Sequence, residues 1–147
     1  MNLSAHFSLQ ELTASQTAVR RGIDNTPTAE ALQNLQELAN GLERVRAVLK
    51  CPILISSGYR SPKLNTAVGG SKTSQHCKGE AADFIAPGFG SPMEVCKAIV
   101  ENRDTIHFDQ LIHEGTWVHI SFNSEPRGSV LTAIFSNGPT RYVKGIV

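Results

Sequence analysis

Residues 74–87 read SQHCKGEAADFIAP. The second half, EAADFIAP, predicts a β-strand ended by Pro87. Strand alternation puts Ala82, Phe84 and Ala86 on one face and Ala81, Asp83 and Ile85 on the other. Asp83 is therefore a carboxylate in the middle of an apolar strand. Burying it is costly unless a cation or several donors meet it. His76 precedes the strand, and Gly79, Ala81 and Ala82 leave room for a close approach to the backbone. The stretch is either a polar loop turning into a strand, with a surface histidine and a capped or salt-bridged aspartate, or half of a metal site.

The other half of such a site is offered by TWVHISF, residues 116–122. Alternation sends Val118, Ile120 and Phe122 toward a core and puts Trp117, His119 and Ser121 on the opposite, accessible face. The core needs a cover. In TPTAEALQNLQELANGLERVRAVLK, residues 26–50, Leu32, Leu35, Leu38, Leu42, Val45 and Leu49 follow helical spacing. Thr26 and Pro27 read as the N-cap and first residue of this helix. Its apolar stripe packs most simply on a sheet.

The remaining segments fill in the fold class. FSLQELTASQTAVRRGIDNTP (7–27) reads as a short helix with Ser8 as N-cap and Glu11 three residues on, ending in the turn Asp24–Pro27. PILISSGYR (52–60) is a short strand closed by Gly58. SPKLNTAVGGS (61–71) is one helical turn ending at Gly69-Gly70. SPMEVCKAIVEN (91–102) is a helix opened by Ser91-Pro92. FDQLIHEG (108–115) and TWVHISF form a hairpin around Gly115, and TRYVKGIV (140–147) is a last strand. Strands and helices mix without a βαβ rhythm. This predicts an α+β fold, a mainly antiparallel sheet with helices packed on one face, built as one domain over residues 1–147.

Composition narrows the function. The 147 residues are 40% hydrophobic and 18% charged with a net charge of +1, so no global field draws the chain to nucleic acid or to an anionic membrane. The basic groups Arg20-Arg21 and Arg44, Arg46 and Lys50 read as solvated helix faces. The N-terminus MNLSAHFSLQELTAS lacks the pattern of a secretion signal, and no stretch of eighteen apolar residues occurs. The expectation is a soluble protein made in the cytoplasm without a signal peptide. Cys51, Cys77 and Cys96 are odd in number and form no CxxC pair. Cys51 and Cys96 read as small buried hydrophobes, and Cys77 as a neighbour of His76 pointing away from it.

Two histidines and a carboxylate are a ligand set for catalytic zinc, with a fourth position left for water. Such a metal lowers the pKa of water to about 7, and a carboxylate can take its proton. Glu114, five residues before His119, is the candidate base. Arg60 is the candidate oxyanion stabiliser. His and Asp ligands also suit other divalent ions. Gln110 shares strand parity with Glu114 and could supply a supporting hydrogen bond. Trp117 either walls a substrate cleft or covers the sheet edge. His113 reads as a satisfied structural histidine, and His107 and His6 as solvated.

These motifs resemble a known family. SQHCKGEAAD matches S-x-H-x-x-G-x-A-x-D of the zinc D-Ala-D-Ala carboxypeptidase family, which includes phage L-alanyl-D-glutamate endopeptidases and shares its fold with the Hedgehog signalling domain. WVHISF resembles its second metal motif and SSGYRS its arginine segment. FSLQELTAS and GIDNTP resemble the phage and bacterial branch of peptidoglycan peptidases. The resemblance spans roughly Phe7 to Phe122. It implies a Hedgehog/DD-peptidase-like fold, one zinc ion on His76, Asp83 and His119, Glu114 as base, Arg60 at the oxyanion and Ser74 against substrate. Many members carry the glutamate three before the last histidine. That position is Thr116 here, so the role falls to Glu114. The implied activity is hydrolysis of peptidoglycan stem peptides, at L-Ala-D-Glu or D-Ala-D-Ala, by a monomer released onto the cell wall in phage lysis or carried on a virion. The alternative is a non-catalytic, zinc-stabilised binding module of the same fold.

Overall fold

The computed structural model describes residues 1–136 and 138–147. Its helices are α1 (Leu9–Thr13), α2 (Gln16–Arg21), α3 (Ala29–Leu49), α4 (Pro62–Ala67), α5 (Pro92–Glu101) and α6 (Arg103–Ile106). The strands are β1 (Leu54–Ser57), β2 (Ala81–Ile85), β3 (Gln110–His113), β4 (Val118–Ser121), β5 (Ser129–Ile134) and β6 (Arg141–Lys144). A 3-10 turn covers Gln75–Lys78.

The six strands form one sheet in the order β1-β2-β4-β3-β5-β6. Every pairing is antiparallel except β3 with β5, which is parallel. The α+β class and the mainly antiparallel sheet are as predicted. The core lies on one face, where Leu35, Leu38, Leu42, Val45 and Leu49 of α3 and Val95, Cys96 and Ile99 of α5 meet Ala82, Phe84, Leu111, Val118 and Ile120 of the sheet. Removing this much apolar surface from water is the main stabilising term. The opposite sheet face is left for the site.

Local capping departs from the sequence reading at two points. The long helix is capped by Thr28, whose hydroxyl accepts from the Ala31 amide at 3.1 Å. Thr26 instead donates its amide and hydroxyl to Asp24 Oδ1 at 2.9 and 2.7 Å. The Asp24 turn thus competes successfully for Thr26, and Pro27 stays outside the helix. The N-terminal segment is two helices, because Ser15 caps a second one through Ala18 N at 3.1 Å. Ser8 caps the first through Glu11 N, as predicted. Ser91 and Glu94 form a reciprocal capping box on α5.

β5 has no counterpart among the predicted elements. SVLTAI has the β-branched content of a strand, but its residues are mostly half-buried, without the alternation that marks one. Arg44 is not a solvated side chain. Its Nε donates to the Ile106 carbonyl at 3.0 Å, and its guanidinium lies 5.4 Å from the centre of the Phe122 ring.

Gly79 has a different purpose from the one expected. Its φ is +77°, and a Cβ there would lie 2.6 Å from the Ala31 carbonyl oxygen. The small residue lets the 3-10 turn dock against α3. It does not clear space beside the His76–Asp83 pair. Ala81 and Ala82 are fully buried in the sheet.

Candidate active site

β2 and β4 are paired so that Asp83 lies opposite His119. His76 reaches the same point from the 3-10 turn, where the N-cap Ser74 Oγ accepts from the His76 amide at 3.2 Å. His119 Nδ1 is 2.9 Å and His76 Nε2 is 3.3 Å from Asp83 Oδ1. The two imidazoles meet edge to face, centroids 5.1 Å apart. One ligand atom from each of the three residues lies within 4.8 Å of the other two. The sequence-predicted trio is therefore assembled by strand register and one capped turn.

The protonation of His76 decides what the cluster can hold. Its Nδ1 is 2.7 Å from the Gly58 carbonyl oxygen, which can only accept, so Nδ1 carries the proton. In the neutral ring Nε2 then presents a lone pair to the Asp83 carboxylate. Two lone pairs at 3.3 Å repel unless a cation lies between them. His76 is 3% exposed and Asp83 15%, so water supplies little of that cation's role. Zinc bonds of about 2.0–2.2 Å put tetrahedral donors about 3.3–3.6 Å apart, close to the spacing found. The donor set fits a divalent metal ion. Burial raises the Asp83 pKa; where the two rings carry an extra proton in place of a metal, their hydrogen bonds and charge outweigh it and hold the carboxyl well below its usual range.

Around this cluster is an open cleft of about 910 Å³. Arg60, Ser74, Gln110, Glu114 and Trp117, each singled out from the sequence, all line it. Glu114 follows β3 at the hairpin turn, its amide donating to the Trp117 carbonyl at 3.0 Å. Burial raises its pKa, a shift reinforced by Asp83 and opposed by His119. Arg60 lies three residues past β1, held by its amide to the His76 carbonyl at 3.0 Å. Its buried Nε has no hydrogen-bond partner among the described residues. A buried donor left unpaired costs stability, and Arg60 belongs to the cleft lining. Trp117 is among the residues that line the cleft. Gln110 is there without a side-chain hydrogen bond to the site among the described residues.

Other expectations are corrected. Ser121 is not accessible; it is fully buried, its hydroxyl accepting from Gln110 N at 3.1 Å. His113 is not satisfied, since its buried Nδ1 has no partner among the described residues. His6 pairs with Glu43 at 2.7 Å. Cys77 lies beside Thr28, Ala31 and Asn34 on the α3 side, away from the cluster, and burial raises its thiol pKa. Cys96 is fully buried, its thiol pushed up to about 12.

A second buried carboxylate escaped the sequence reading. Asp109, fully buried at the cleft floor, accepts from Arg127 Nε, Nη2 and backbone N at 2.9, 2.7 and 3.0 Å, and from Gln75 Nε2 at 2.9 Å. Burial raises its pKa, but the Arg127 and Gln75 hydrogen bonds bring it down to about 2. An acid opening the apolar run FDQLI was the available signal, the same signal that marked Asp83.

A mixed sheet with a His–Asp–His cluster able to hold a metal ion, in an open cleft lined also by a carboxylate and a guanidinium, is the arrangement of a metal-dependent hydrolase. The family model described as Peptidase M15 matches residues 5–121, and the chain belongs to this family of zinc-dependent metallopeptidases. No curated protein sequence matches the chain. Among the described residues, no helix is long and apolar enough to cross a membrane.

Proposed function

We propose that the protein hydrolyses a peptide bond in peptidoglycan stem peptides, with one zinc ion held by His76, Asp83 and His119. The observation that carries this reading is the convergence of those three donors, with a His76 lone pair aimed at a carboxylate, in a cleft also lined by Glu114 and Arg60. Bound zinc supplies Lewis-acid polarisation of the peptide carbonyl and acidifies water. Glu114 takes the proton of the attacking water and delivers it to the leaving amine; its raised pKa suits both transfers. Arg60 donates to the carbonyl oxygen as charge develops on it. Ser74, Trp117 and Gln110 contact the substrate from the cleft walls. On this reading the protein acts at the bacterial cell wall, reached by release in phage lysis or on a virion, and works as a monomer.

The test is Glu114→Ala against wild type on defined muropeptides, with products identified by mass spectrometry. The variant keeps one zinc per chain by elemental analysis and loses about 10²- to 10⁴-fold in turnover. Unchanged turnover removes Glu114 from the chemistry. Free D-Ala among the wild-type products identifies a carboxypeptidase. Loss of the stem after its first residue identifies an L-Ala-D-Glu endopeptidase. A non-catalytic zinc module would bind zinc and release neither product.

A further inference from the structure

The family match ends at Ser121, yet the cleft does not. Tyr142 on β6 lines it. The register explains how. His113 pairs with Thr132 in the parallel β3–β5 ladder, and Ala133 pairs with Tyr142 across β5–β6. One step past His113, Glu114 comes level with Ala133 and hence with Tyr142. Side chains level across a sheet share a face, so the phenol is on the side that carries Glu114, two strand spacings away.

The hairpin is also fastened to the turn that presents Glu114. Gly115, at φ +81°, has no Cβ; one built there would lie 3.2 Å from Phe135 Cε2. The Phe135 ring therefore covers the turn directly beside Glu114. Tyr142 and Phe135 are 52% and 58% exposed. Tyr142 makes no side-chain hydrogen bond among the described residues. Burial and the charges of Glu114 and Asp83 push the phenol pKa up, so at neutral pH it is a hydrogen-bond donor.

We propose that Tyr142 is a substrate-binding residue of the cleft, its ring walling the Glu114 side and its hydroxyl donating to a carbonyl or carboxylate oxygen of the bound peptide. The inference rests on the peptidase reading for the nature of the ligand, and on the sheet register for the position. A donor beyond the metal cluster that meets substrate and transition state equally changes binding and leaves turnover alone. Because the β5–β6 hairpin lies past the matched residues, it distinguishes this chain's cleft from one built of the matched segment alone.

The chain's single tryptophan, Trp117, lines the same cleft and reports on its occupancy. Zinc-loaded wild type, Tyr142→Phe and Tyr142→Ala are titrated with a disaccharide-pentapeptide muropeptide, following Trp117 fluorescence, and assayed for its hydrolysis. Tyr142→Phe raises Kd and KM about 3- to 10-fold, Tyr142→Ala at least as much, and kcat stays within about twofold. Zinc stoichiometry and Tm stay at wild-type values, because the side chain is exposed on an edge strand. Unchanged Kd in both variants overturns the proposal, as does a wild type that binds no muropeptide. A wild type that binds but never hydrolyses overturns the peptidase reading alone, and the fluorescence series still decides Tyr142.

Discussion

Asp83 and Asp109 are both carboxylates sunk beneath the same cleft, and they are satisfied in opposite ways. Asp109 has a resident cation: Arg127 grips it with Nε and Nη2 while Gln75 donates a further hydrogen bond. Its charge is balanced by the chain, so the cluster is closed. Asp83 faces two imidazoles, one of which has already spent its neutral-ring proton on the Gly58 carbonyl. Nothing in the chain completes that cluster except added protons or a metal. A structural buried acid is thereby told apart from a ligand. What counts is whether the partners bring their own positive charge, more than how deeply the acid is buried.

Exchanging each acid for alanine separates the two roles most directly. Asp83→Ala lowers zinc affinity by more than about 100-fold, beyond what loss of an outer-sphere partner costs, measured by competition with a chromogenic chelator. Asp109→Ala does the reverse. It costs about 2 kcal/mol in urea unfolding, since it strands the Gln75 amide and the Arg127 backbone N–H while the half-exposed Arg127 guanidinium returns to water, and it leaves zinc stoichiometry at wild type. Equal zinc loss in both variants would dissolve the distinction.

Asp83 was legible in the sequence because it interrupts an apolar strand and is followed by a histidine on another strand, His119, whose register with it needs only alternation. The core stripe of α3 was legible for the same reason: periodicity encodes facing. What periodicity cannot encode is partnership. Asp109 stands just before its strand, and the residue that balances it, Arg127, comes eighteen positions later in a loop. Tyr142 reaches the cleft only through the parallel β3–β5 pairing, and SVLTAI carries no alternation to announce it. Thr26 was misread as a cap because the competing Asp24 turn is decided by geometry over two residues, and both threonines have the right chemistry.

Acid titration sharpens the contrast in the metal-free protein. The folded Asp109 pKa, about 2, lies below the carboxyl's ordinary value near 4. The folded state thus favours the ionised form. The resulting stability is fully present above about pH 4 and is lost as pH falls toward 2. Stability of wild type and Asp109→Asn, compared by urea unfolding at stepped pH, therefore differs most above pH 4, with the gap narrowing below it. A gap that stays constant from pH 5 to pH 2 means that Arg127 does not hold the carboxyl ionised.

Ser121 gives the smallest effect and the finest division between the two clusters. It stands two residues beyond His119 on β4, on the strand face that alternation assigns to the site. Its hydroxyl nevertheless belongs to Asp109: it accepts from Gln110 N at 3.1 Å and lies 3.4 Å from Asp109 Oδ2, a weak donor to an acid already well supplied. Ser121→Ala therefore costs about 1 kcal/mol in urea unfolding, the value of one modest buried hydrogen bond. In the Asp109→Ala background the same change costs less, since one of its two partners is already gone. Zinc affinity is unchanged in either background. If Ser121→Ala instead weakens zinc binding, the two carboxylate clusters are coupled through β4, and the closed network around Asp109 is part of the metal site's support.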